Sequence, residues 1–93
     1  MKIIKRSGTE VGFNIEKIIA AVRKANKEVA ESERLTEQKI DEISRNVEQI
    51  CLNMNRTLNV EEMQDLVENQ IMNCKSFEVA RKYITYRYKR YLV

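Results

Sequence analysis

Hydrophobic positions change their period along this chain. Ile3 and Ile4 form a short extended run, Ser7-Gly8-Thr9 supplies turn chemistry, and Val11 to Phe13 make a second β-prone run, which together predict a hairpin. From Asn14, a good N-cap, the period is helical, with Ile15, Ile18, Ile19, Val22 and Val29 recurring on one face. Glu28 to Arg34 break that pattern. A second helix is predicted from Thr36 as N-cap, with Leu35 and Ile40 at the staple positions; Ile43, Val47, Ile50 and Met54 continue its stripe to a stop at Asn53 to Arg56. Thr57-Leu58 reads as a short extended piece able to add a third strand. Asn59 then caps a third helix, with Glu62 at the capping-box position, Leu58 and Met63 as staple, and an apolar stripe of Val60, Met63, Leu66, Val67 and Ile71. After Asn73 to Lys75, Ser76 is the expected cap of a last helix whose face is marked by Val79, Ala80, Tyr83, Ile84 and Arg87. That helix is expected to reach Val93 without a C-capping residue, as in a piece of a longer protein. Amphipathic helices with a small hairpin make an α-rich single domain with a β cap over residues 1–93.

Composition sharpens this picture by exclusion. The 93 residues contain no proline and two glycines, which favours long helices over a β-sandwich or a loop-rich scaffold. The longest apolar run, Ile18 to Val22, is far short of the ~20 residues of a membrane span. Lys5 and Arg6 interrupt the N-terminal Ile3-Ile4 pair before a signal-peptide core develops. Histidine is absent, removing the commonest general base and metal ligand together. Cys51 and Cys74 form no close CxxC pair and read as small buried residues of a reducing, cytoplasmic protein. The net charge of +3 is unevenly spread: residues 1–8 and 79–93 sum to +8 and the middle to −5. If folding joins the two ends, they make one basic patch suited to the phosphates of a nucleotide or a nucleic acid.

No catalytic constellation is present. There is no Ser/His/Asp or Cys/His set, no Walker loop and no GxGxxG, and Gly8 and Gly12 are too few for a main-chain phosphate cradle. Phosphate binding must therefore use side chains. Lys5 and Arg6, read as strand residues near a hairpin end, and Lys17 in the first turn of a helix can converge on one anion. Taken by residue type alone, the same charges read as solvated positions on an exposed hairpin.

Four blocks decide between these readings. Lys5-Arg6-Ser7-Gly8, Phe13 to Ile18, Val60 to Glu68 and Val79 to Arg87 resemble, in order and spacing and over nearly the whole chain, the ATP-cone domain. That family is the nucleotide-sensing N-terminal module of ribonucleotide reductases and also occurs in a reductase-gene repressor. The resemblance implies an α+β, mostly α fold: a four-helix bundle capped by a small two- or three-stranded β-sheet, with the nucleotide between sheet and helices. It implies that Lys5 and Arg6 meet the phosphates, that Asn14, Lys17 and Ile18 are first-helix contacts, and that Ile3 lies on the adenine side. Gln64, Tyr86 and Lys89 fall where some members place further contacts. Ser7 stands where many members have Asp, a difference that falls on the turn rather than on the phosphate pair.

The expected ligand is ATP or dATP, with Mg2+ carried on the phosphates and no dedicated protein cage. The expected partners are the catalytic domain of a parent reductase and other copies of the domain, with no catalysis by the domain itself. The start from Met1 to Gly8 is similar to the anaerobic, glycyl-radical type, and with no cysteine pairs upstream the repressor is disfavoured. A nucleic-acid-binding module and a helical docking domain are the rival readings. Against the first, Tyr83, Tyr86, Tyr88 and Tyr91 are spaced so as to spread around a helix rather than form a stacking platform. Glu61, Glu62, Asp65 and Glu68 read as dipole and capping residues rather than as a metal site.

Overall fold

The helix boundaries follow from local chemistry. The computed structural model describes residues 1–92, with side chains through Arg90. The elements are β1 (Lys2–Ile4), β2 (Glu10–Gly12), α1 (Ile15–Lys27), a short 3-10 turn (Glu31–Glu33), α2 (Glu37–Met54), β3 (Leu58–Asn59), α3 (Val60–Asn73) and α4 (Phe77–Leu92). Asn14 caps α1, its Oδ1 accepting from the Glu16 N–H at 3.0 Å. Thr36 caps α2 by accepting from the Lys39 N–H at 3.1 Å. Asn59 and Glu62 close the expected capping box on α3. Its Glu62 carboxyl is held below the usual carboxylate range by hydrogen bonds from Arg56 and the Asn59 N–H. Asn55 ends α2 in the left-handed region, φ 51°, a conformation asparagine tolerates better than most residues.

The bundle closes on itself: α1 packs on α2 and α4, and α3 packs on α2 and α4. Its core holds Ile18, Val22, Ile40, Ile43, Val47, Val67, Ile71, Val79 and Tyr83. Burial pushes the Tyr83 hydroxyl and the Cys51 thiol up from their ordinary pKa values. The strand order is β2-β1-β3. β1 pairs antiparallel with β2, Ile3 opposite Val11, and parallel with β3, Ile3 opposite Leu58. Ile3 and Leu58 carry the sheet's inner face into the core, at 4% and 0% exposure. No helix among the described residues is long and apolar enough to cross a membrane.

Several expectations need correction. Lys5 and Arg6 lie in the turn beyond β1, because the Gly8 N–H donates to Lys5 O and ends the ladder there. The third strand is Leu58–Asn59 rather than Thr57-Leu58, set by its parallel register with Ile3 and Ile4. Val29 is buried but lies past the end of α1, where Arg34 Nε donates to its carbonyl and Asn26 ties the chain to Leu35 through both amide atoms. Met54 and Ile84 are exposed rather than on the buried stripes. Met54 is the last residue of its helix, and Ile84 follows Tyr83 by one position, about 100° round the helix from the buried face. Cys51 is buried as expected, whereas Cys74, at the end of α3, is half-buried. The expectations for the side chain of Tyr91 and for Val93 lie outside the described residues.

Candidate functional site

The β1–β2 turn is built by its own side chains and one glycine. Gly8 N–H donates to Lys5 O at 2.9 Å and Lys5 N–H donates to Thr9 O at 2.8 Å. Ser7 Oγ accepts from the Thr9 N–H at 3.4 Å and donates to Thr9 Oγ1 at 3.1 Å, so serine closes the turn in the manner of an aspartate. Gly8 has φ 88°, in the left-handed region. A β-carbon there would meet nothing within 4 Å, so the cost of Gly8→Ala is backbone strain alone. It is expected to destabilise the fold by about 1 to 2 kcal/mol, read from urea unfolding.

This turn forms the lip of a cleft of about 550 Å3, a size usual for small-molecule sites. Ile3 and Val11 from the sheet and Val60 and Met63 from α3 line it with apolar surface. Lys5 and Arg6 from the turn, Asn14 and Lys17 from the start of α1, Gln64 from α3 and Arg90 from α4 line it with polar groups. Four cations from three separated parts of the chain thus share one concavity. Arg90 meets Lys5 and Arg6 there, which realises the joining of the basic ends. Not all end charges take part: Arg81 pairs with Glu78, and Arg87 is committed elsewhere.

Arg87 anchors the flank of the cleft. It donates to Glu61 Oε2 at 2.9 Å, Asp65 Oδ1 at 2.8 Å and Glu68 Oε1 at 3.1 Å, residues spaced along one face of α3. Burial opposes the Arg87 charge, but hydrogen bonds to Asp65, Glu61 and Glu68 outweigh it and raise its pKa above the ordinary guanidinium value. Arg6 reaches the same helix face, its Nε donating to Glu61 Oε1 at 2.7 Å and its Nη2 to Gln64 Oε1 at 3.0 Å. Gln64 is 7% exposed, so this bond satisfies a buried amide oxygen.

Six of the nine expected site residues line this cleft: Ile3, Lys5, Arg6, Asn14, Lys17 and Gln64. Ile18 is a core residue at 3% exposure and does not line it. Tyr86 and Lys89 line a second hollow, of about 350 Å3, between α1 and α4 with Lys24 and Lys82. Lys24 from this hollow and Arg90 from the first cleft stand 5.9 and 5.7 Å from the Tyr86 ring centroid, a cation–π geometry. The tyrosines do not share a surface: Tyr83 is 3% exposed, whereas Tyr88 is 61% exposed. Sequence reasoning missed Arg90, Val11, Val60 and Met63 as cleft residues. Arg90 was visible only as part of the basic end, although with Tyr83 and Arg87 it follows the helical i, i+4, i+7 spacing along α4.

The family model described as the ATP cone domain matches residues 1–92. The chain is 34% identical, over 97% of its length, to the ribonucleoside-diphosphate reductase subunit alpha of Chlamydia trachomatis serovar D, of which it covers 9%. It is 33% identical, over 95% of its length, to the anaerobic ribonucleoside-triphosphate reductase of Haemophilus influenzae, of which it covers 12%. The chain therefore spans about a tenth of the length of these curated relatives.

Proposed function

This chain belongs to the ATP-cone family, and from that premise we propose that it is a regulatory adenine-nucleotide-binding domain whose site is the cleft between sheet and helices. One observation carries this reading: the cleft joins a cationic group, Lys5, Arg6, Lys17 and Arg90, to an apolar wall of Ile3, Val11, Val60 and Met63. Such a division suits a ligand that is polyanionic at one end and flat and apolar at the other. Lys5, Arg6 and Lys17 would take the phosphates of ATP or dATP, and the Ile3 strand would take the adenine side. Mg2+ would remain on the phosphates, since it keeps much of its water and the acidic residues flanking Gln64 on α3, Glu61, Asp65 and Glu68, are engaged by Arg87. Asn14 Oδ1 is occupied in capping α1, which leaves its amide nitrogen as the group to offer a ligand. Ile18 would act from beneath the site by packing. Tyr86 and Lys89 would contribute only to a ligand that also reaches the second hollow.

The domain has no catalytic role in this reading. It reports the ATP/dATP balance to the catalytic part of a parent ribonucleotide reductase in the cytoplasm, either directly or by association of copies of the domain. The test is thermal unfolding with ATP, dATP, GTP, CTP and UTP. A ligand that binds only the folded state at about 100 times its Kd stabilises by about 2.7 kcal/mol. ATP and dATP are expected to raise Tm, and the other nucleotides much less. Equal shifts with all five would overturn adenine selectivity, and no shift with any would overturn the site.

A further inference from the structure

Glu61 stands between two guanidinium groups. Its Oε1 accepts from Arg6 Nε at 2.7 Å on the cleft side, and its Oε2 accepts from Arg87 Nη2 at 2.9 Å on the α4 side. Arg87 also holds Asp65 and Glu68, so two cations face three carboxylates and the cluster keeps an excess negative charge beside the cleft. An incoming phosphate therefore meets an Arg6 whose charge is already shared with a carboxylate. A phosphate that takes Arg6 Nε displaces Glu61 from it, and one that takes another N–H of the same guanidinium shares its charge with Glu61. Glu61 can leave without being stranded, because its side chain is 45% exposed and Arg87 still holds its other oxygen.

We infer that Glu61 is an internal competitor for the phosphate site: by occupying Arg6 it lowers the affinity of the cleft for nucleotide polyphosphates. The inference rests on the reading that this cleft binds nucleotide phosphates. It makes Glu61 an affinity-setting residue that touches the ligand only through Arg6. The carboxylate is a structural partner of Arg6 and opposes a phosphate that competes for the same guanidinium.

Isothermal titration of ATP into the wild-type protein, Glu61→Gln and Asp65→Asn tests this. Glu61→Gln keeps the size and an acceptor oxygen but removes the charge, and is expected to tighten ATP binding by about two- to fivefold, the scale of one partly exposed ion pair. Asp65→Asn removes another Arg87 partner with no bond to Arg6, and is expected to change affinity by less. Unchanged or weaker binding in folded Glu61→Gln would overturn the inference while leaving the site reading intact. Equal tightening in both variants would overturn it in favour of a general charge effect. A wild-type protein giving no binding would overturn the site reading and the inference together. Should Glu61→Gln lose its helical circular dichroism, Glu61→Asp, which shortens the reach to Arg6 but keeps the charge, is expected to tighten binding in the same direction, and its failure to do so would overturn the inference.

Discussion

Arg6→Ala is expected to lower the affinity for ATP by about tenfold to a hundredfold while the protein stays folded. One charge-assisted hydrogen bond contributes roughly 1.5 to 3 kcal/mol, which corresponds to that range. The cost to the fold is smaller. Arg6 sits at a partly exposed turn, and Glu61 keeps Arg87 when Arg6 is gone. Gln64, which is buried, loses its donor, so a destabilisation of about 1 kcal/mol is expected. Calorimetric titration with circular dichroism as the folding control measures both effects. Unchanged affinity in a folded variant would remove Arg6 from the site and weaken the assignment of Lys5 and Lys17 with it.

Leu58→Ala is expected to cost about 2 to 5 kcal/mol of stability, the range for removing a buried leucine side chain when its surroundings collapse only in part. Leu58 is fully buried, lies opposite Ile3 in the sheet and is part of the central cluster. For a small domain whose whole stability is about 5 to 15 kcal/mol, this is a large share. Because Ile3 also lines the cleft, ATP binding should weaken in the same variant. Urea unfolding checks the first effect, and a loss below about 1 kcal/mol would mean that the sheet contributes little to the core.

What the sequence made legible is what forms within a few residues. The caps at Asn14, Thr36 and Asn59 are bonds from a side chain to a backbone N–H two or three positions on, so residue type and spacing suffice to find them. The hairpin turn was readable from Ser7 and Gly8 for the same reason. The position of Lys5 and Arg6 within that turn was not, because it depends on where the ladder to Glu10 ends, and a shift of one or two residues leaves the composition unchanged. Arg87 read as one member of a helix face. Its actual role depends on α3 presenting Glu61, Asp65 and Glu68 across the α3–α4 contact, a pairing set by packing. Arg90 was hidden likewise: only the closed ring of helices brings the end of α4 to the turn at the other end of the chain.

Asn59 is the final residue of β3, paired with Ile4, and at the same time the cap of α3. No linker separates the sheet from that helix, so the Ile3 wall of the cleft and the Gln64 wall share a joint with no slack. Hinged sites close around a ligand through one or more loose residues that absorb the rotation, and the ordering of those residues opposes binding. A ligand taken up between these two walls, as proposed above, would meet them across a direct joint, with little conformational entropy left to lose between the sheet and α3.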